Sequence, residues 1–347
     1  MSRTVLAILW LAVGAMLLAV PIWLGWTRWS VLLHGHPASL VVASACALAG
    51  VVALVWAVAT LLLSARFEHE SAASGHQGRP TQRQLRRAAL RRVALAVPAL
   101  VLSMLTVSVL AWSRPLPASP VAVAAMLSGP DVKVADRLTW YELQPQRRNA
   151  FGRVVKPTVG LIFYPGARVD ARAYAQLLRP IAAAGYLVVV LKEPFGIGLV
   201  NADQAEIALE VHPQIGRWAV GGHSLGGVAA SSFADAHPAQ VRGLLLYAAY
   251  PASTLMRSDL QVVSVSGGAD GLATPVDIER SKARLPASTR YVVVPGAVHA
   301  HFGDYGSQQG DGIPGTPRET AQTQIVAASK ALMASLHPRP KVQTKPK

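Results

Sequence analysis

Apolar and polar positions divide this chain into two textures. Over the first third, apolar residues run almost unbroken from about Thr4 to Trp26, from about Leu40 to Leu63 and from about Val93 to Trp112, with no charged side chain in any of the three. A helix needs about 20 such residues to cross a hydrocarbon core, so the pattern predicts three transmembrane helices. The first is read as a retained helix rather than a cleaved leader. It exceeds the roughly 7–15 apolar residues of a signal peptide, only Arg3 precedes it, and no small-x-small site follows closely. Six tryptophans (Trp10, Trp23, Trp26, Trp29, Trp56 and Trp112) lie partly at the ends of these stretches, where an amphipathic ring suits the interface.

Beyond Asp131 the apolar runs shorten and alternate with helical periodicity. Strands are predicted at 132–143, 158–164, 186–191, 217–221, 241–248, 260–266 and 291–294. Helices are predicted at 170–184 (capped by Asp170), 202–211, 225–237, 275–285 and 318–336. Strands this apolar, alternating with helices, imply a doubly wound, mostly parallel α/β sheet covered on both faces. The expected organisation is a membrane region over 1–112, a linker over 113–130, an α/β domain over 131–337 and a basic tail over 338–347. The linker reads as a tether because Pro115, Pro117, Pro120 and Pro130 remove donors and favour extended backbone.

Composition agrees with a membrane region. Of 347 residues, 52% are hydrophobic and 15% charged, against about a quarter charged in soluble domains. The net charge of +15 invites a nucleic-acid reading. However, the cations cluster beside apolar segments and in the tail (Arg339, Lys341, Lys345, Lys347), which favours a lipid bilayer as partner and argues against nucleic acid. Arg66, Arg79, Arg83, Arg86, Arg87, Arg91 and Arg92 fall between the second and third stretches, and only Arg28 between the first and second. The positive-inside rule then puts the arginine-rich loop in the cytoplasm and the α/β domain on the extracytoplasmic side. Arg83 to Arg92 read either as a basic surface helix or as a solvated loop. Cys46 is the single cysteine, so neither a disulfide framework nor a cysteine metal site is expected.

The chemistry gathers at Gly222-His223-Ser224-Leu225-Gly226, where a buried run meets a helical pattern. Such a Gly-x-Ser-x-Gly turn exposes a serine hydroxyl at a strained apex, with Gly222 and Gly226 where side chains would collide. A serine nucleophile needs a base and an acid to orient it. Asp270 follows the strand 260–266 and His299 follows the strand 291–294, so all three sit at carboxyl ends of strands. His301 competes with His299 and lies farther from its strand, and His223 sits too close to the apex to turn back on it. The developing oxyanion calls for donors, expected from the N–H of Leu225 and of Ala167. Arg168 reads as a surface cation, with an anionic-substrate contact as the alternative.

Decoys are few. Gly310-Asp311-Gly312-Ile313-Pro314-Gly315 fits a dinucleotide pattern but follows no strand and contains proline, so it reads as a loop that shapes the pocket. No HExxH, CxxC or GxxxxGK[ST] occurs, and neither metal nor cofactor is expected.

Residues from about Leu161 to Gly312 resemble the α/β-hydrolase superfamily, in particular its compact fold-5 branch near the dienelactone hydrolases. The resemblance rests on Phe163-Tyr164-Pro165-Gly166 with Val169-Asp170, on Gly222 to Gly227, on Asp270-Gly271-Leu272-Ala273-Thr274-Pro275, and on His299-Ala300-His301-Phe302-Gly303-Asp304-Tyr305-Gly306. It implies Ser224 as nucleophile, Asp270 as acid and His299 as base. Dienelactone hydrolases carry cysteine where this chain has Ser224, so their substrate does not transfer. The short connection from Pro251 to Leu260 implies a lidless site. The expected function is a membrane-anchored serine hydrolase cleaving a small-molecule carboxylic ester or thioester. The alternatives are a catalytically silent binding module and an acyltransferase with the same triad.

Overall fold

Two units share the chain: one spans residues 1–33 and 38–114, the other 34–37 and 115–347. The computed structural model describes residues 3–73 and 82–337. Arg79 and the expected basic tail lie outside them.

The first unit consists of α1 (Arg3–His34), α2 (Pro37–Ala73) and α3 (Gln82–Trp112). Within them Val5–His34, Pro37–Leu63 and Val93–Trp112 are long and apolar enough to cross a membrane. Helix α1 breaks regular geometry at Arg28 (φ −139°, ψ 22°), just beyond the apolar stretch read from sequence. Helices α1 and α2 approach closely at Gly14 and Gly50, where a Cβ on either would lie 2.9 Å from the other's carbonyl oxygen. Small residues at such a crossing let helix backbones meet without a side chain between them. Of the two readings of Arg83 to Arg92, the helical one matches, since α3 runs through them.

The second unit contains α4 (Pro120–Ala124), β1 (Val132–Asp136), β2 (Trp140–Pro145), β3 (Val159–Tyr164), α5 (Ala175–Ala183), β4 (Leu187–Leu191), α6 (Glu206–Val211), β5 (Arg217–His223), α7 (Leu225–Ala236), β6 (Val241–Tyr247), β7 (Gln261–Gly267), α8 (Pro275–Ser281), β8 (Arg290–Val294) and α9 (Arg318–Ser335). The strands form one sheet in the order β1-β2-β4-β3-β5-β6-β7-β8. Pairings from β4 through β8 are parallel, and β1 and β2 add antiparallel at one edge. This is the doubly wound, mostly parallel α/β sheet expected from sequence. Every residue of β3 and β4 is buried, as a strand covered on both faces requires. One face packs on α5 and α9 through Leu177, Ile181 and Ile325, the other on α6 and α7 through Ala208, Ala230 and Phe233.

Two expectations change. The single strand predicted over 132–143 is a hairpin, closed where the Arg137 N–H donates to the Trp140 carbonyl at 2.8 Å. Apolar Leu138 sits on that turn 71% exposed, so the alternation ran straight through it. The segment read as a tether docks on the domain. The Leu116 N–H donates to the Arg168 carbonyl at 2.6 Å, the Ser119 N–H donates to the Asp304 carbonyl at 2.7 Å, and Ala122 of α4 is buried. Proline density favours extended backbone, and extended backbone with free donors on one side suits docking as well as tethering.

Candidate active site

Strand β5 ends at His223 and α7 begins at Leu225, leaving Ser224 alone at the apex with φ 53° and ψ −124°. A non-glycine residue held there costs about 1–3 kcal/mol and persists only where its surroundings dictate it. The surroundings do so through backbone contacts. A Cβ on Gly222 would lie 2.4 Å from the Gly226 carbonyl oxygen, and one on Gly226 only 2.1 Å from the Pro165 carbonyl oxygen. The Ser224 N–H donates to the Tyr247 carbonyl at 3.0 Å, tying the apex to β6.

Asp270 and His299 stand just beyond the ends of β7 and β8. Asp270 is buried, and its Oδ1 accepts the N–H groups of Leu272 and Ala273, each at 2.8 Å. His299 opens a short 3₁₀ turn, His299–Phe302, after Gly296 reverses the chain at φ 67°. Its Nδ1 lies 2.9 Å from Asp270 Oδ2 and 3.2 Å from Oδ1. With Nδ1 donating to the carboxylate, Nε2 is the free lone pair, and it is buried with no protein partner among the described residues. His299 and Ser224 open into one pocket of about 190 Å³, walled by Leu225, Val228, Ala248, Leu272 and Ala273 among others, with no Asp, Glu, Lys or Arg in its lining. His301 does not line this pocket. Burial lowers its pKa. Of the two histidines, His299 and not His301 lines the pocket with Ser224.

His223 packs rather than reaches the apex. Its ring lies 4.5 Å from that of His299, centroid to centroid, and its Nδ1 lies 2.8 Å from the Tyr174 hydroxyl. That hydroxyl also accepts the Gly166 N–H at 2.8 Å, so one oxygen bridges Gly166 and the His223 imidazole. Burial, and then the neighbouring His299, hold the His223 pKa well below the ordinary histidine range, with only the His299 backbone opposing. A neutral imidazole at this position puts no cation beside His299. Tyr174 carried no signal in the sequence, because a tyrosine in a helical stretch looks like any core residue.

The turn after β3 offers three N–H groups, two of which are used: that of Gly166 by Tyr174, and that of Arg168 by the Gly196 carbonyl at 2.7 Å. The Ala167 N–H has no acceptor among the described residues. Leu225 lines the pocket at the first turn of α7, where helical N–H groups lack intrahelical acceptors. Arg168 has φ 63° and does not line the pocket. No lid helix interrupts the connection from β6 to β7. Just beyond β4 lies Glu193, buried with neither carboxyl oxygen hydrogen-bonded. Burial pushes its pKa well above the usual carboxylate range. Among the described residues no group of three or more His, Cys, Asp and Glu side chains is placed to hold a metal.

Residues 160–323 match the model of the alpha/beta hydrolase family. Among solved structures, the crystal structure of TT1662 from Thermus thermophilus is similar at 15% identity, over 58% of this chain and 98% of that one, with a TM-score of 0.41. No curated protein sequence matches the chain.

Proposed function

We propose that this alpha/beta hydrolase domain is a serine hydrolase, held to a membrane by α1, α2 and α3, that cleaves carboxylic esters or thioesters. The observation that carries the reading is the shared pocket: Ser224 and His299 line one small cavity, while His299 Nδ1 is held by buried Asp270 and its Nε2 has no protein partner among the described residues. In this mechanism Nε2 takes the Ser224 proton as Oγ attacks the acyl carbon. Asp270 fixes the tautomer and stabilises the imidazolium. The N–H groups of Leu225 and Ala167 receive the oxyanion. The protonated imidazole then passes its proton to the departing alcohol or thiol, and the same base activates water to release the acyl group. The pocket, at about 190 Å³, falls below the roughly 300–1,000 Å³ of common ligand sites, which favours a short, uncharged acyl group.

The deciding experiment treats the full chain in membranes with a fluorophosphonate probe and a series of esters of graded acyl length. Labelling at Ser224, its loss in Ser224→Ala and preference for the shortest acyl groups are expected. A folded chain that stays unlabelled overturns the reading. The arginines ahead of α3 support an extracytoplasmic catalytic domain. Alkaline phosphatase fused after Trp112 is then active, and an expressed but inactive fusion reverses the orientation.

A further inference from the structure

The glycine-rich loop after His299, whose pattern resembled a nucleotide motif, holds a carboxylate that touches both catalytic loops. Asp311 Oδ1 accepts the N–H of His299 at 2.9 Å, of Gly312 at 2.7 Å and of Gly271 at 3.3 Å, and Oδ2 accepts the N–H of Ala300 at 2.9 Å. Two of these donors open the 3₁₀ turn that presents His299. A third is the residue directly after Asp270. The loops meet backbone to backbone at this point: a Cβ on Gly312 would lie 1.8 Å from the Ala269 carbonyl oxygen, and one on Gly271 would lie 2.7 Å from the Gly312 nitrogen. The other end of the turn is gripped by Arg318, the first residue of α9, whose guanidinium donates to the carbonyls of Ala300, Gly303 and Gly306. A carboxylate therefore holds the first N–H groups of the turn, and a guanidinium holds one carbonyl within the turn and two just beyond it.

We infer that Asp311 is a positioning residue that sets the His299–Asp270 geometry by bonding the backbone of both loops at once. This rests on the reading of Ser224, His299 and Asp270 as a catalytic relay. Each half of the relay sits on a separate loop; the loops bond directly where the Ala269 N–H donates to the Ala297 carbonyl at 2.9 Å, and Asp311 adds the bonds that reach His299 and the residue after Asp270. Without Asp311, two N–H groups at the start of the turn and one beside the acid lose their acceptor. A displacement near 1 Å from productive geometry costs about 10²-fold in rate.

The test uses the full chain in detergent, with a short-chain ester and the fluorophosphonate probe. Asp311→Ala is expected to lower kcat by roughly 10–100-fold with KM changed less than about twofold, and to slow Ser224 labelling in parallel. Asp311→Asn keeps Oδ1, which serves three of the four donors, and is expected to lose less. Glu319→Gln, on the exposed start of α9, removes the same charge without touching either loop and is expected to keep wild-type kinetics. A purely structural Asp311 would lower the unfolding temperature while leaving kcat intact below it. A folded Asp311→Ala with wild-type kcat overturns the inference. Should that variant not fold, equal kcat for Asp311→Asn and Glu319→Gln overturns it. An unlabelled wild-type chain defeats the relay reading itself, and with it this inference, before any Asp311 variant is compared.

Discussion

The Tyr174 hydroxyl, 2.8 Å from His223 Nδ1, joins the turn after β3 to the nucleophile turn, because the same oxygen accepts the Gly166 N–H. Tyr174→Phe leaves both buried partners unsatisfied. Each unsatisfied buried group costs about 1–3 kcal/mol, so chemical denaturation should show a loss of at least that size. Hydrolysis should slow as well, since the released Gly166 adjoins Ala167. A variant as stable as wild type would remove this bond from the account.

Asp270→Asn keeps the shape of the acid and reverses what it asks of His299. The amide donates toward Nδ1, which favours the tautomer with its proton on Nε2, where a lone pair is needed. The expected fall in kcat is about 10³–10⁴-fold with little change in KM, read from initial rates on a short-chain ester.

Gly226→Ala puts a methyl group against the backbone oxygens of Pro165 and Tyr164, at 2.1 and 2.4 Å. Neither atom yields as a side chain would, so the cost should exceed the roughly 1–3 kcal/mol of ordinary overpacking. Gly216→Ala, with nothing within 4 Å of the new Cβ, is the control and should change stability by less than about 0.5 kcal/mol. Unfolding midpoints of the two variants make the comparison.

Glu142 gives an acid-side dependence. Burial raises its pKa, but hydrogen bonds from His212, Trp140 and Gln144 together outweigh burial and bring it from 4.5 to about 2. A depressed carboxyl stabilises the fold fully above its unfolded value and loses that contribution as pH falls through its folded value. Glu142→Gln should therefore be less stable than wild type at pH 7, and the gap should close between pH 4.5 and about 2.

Glu193 has the opposite sign. Its folded pKa is raised, so the wild-type fold loses stability as pH rises above the unfolded value of 4.5. Glu193→Gln should be more stable than wild type at neutral pH, with the advantage vanishing below pH 4.5. An advantage that persists at pH 3 would point to packing instead of ionisation.

Much of this is legible in the sequence. Hydrophobic periodicity depends on local geometry, so the three apolar helices and the alternation of strands with helices stood out. The positions of Ser224, Asp270 and His299 followed because a parallel sheet puts the ends of its strands on one rim, and chain order alone identifies those ends. The hairpin at Leu138 did not follow, since one exposed apolar residue preserves an alternating pattern through a turn. Nor did the docking of Leu116 and Ser119, which depends on acceptors at Arg168 and Asp304 that lie far along the chain.

The sequence by itself determined the element order, the sheet and the strand ends beyond which Ser224, Asp270 and His299 stand. The tertiary structure decided which imidazole meets the serine, which N–H of the Gly166-Ala167-Arg168 turn stays unused, and that Tyr174 and Asp311 hold the surrounding loops. Those choices rest on single hydrogen bonds between residues distant in sequence, such as Asp311 to Gly271 or Tyr174 to His223. Local composition and periodicity carry no record of such contacts, because each depends on where the folded backbone brings an acceptor within about 3 Å of a donor.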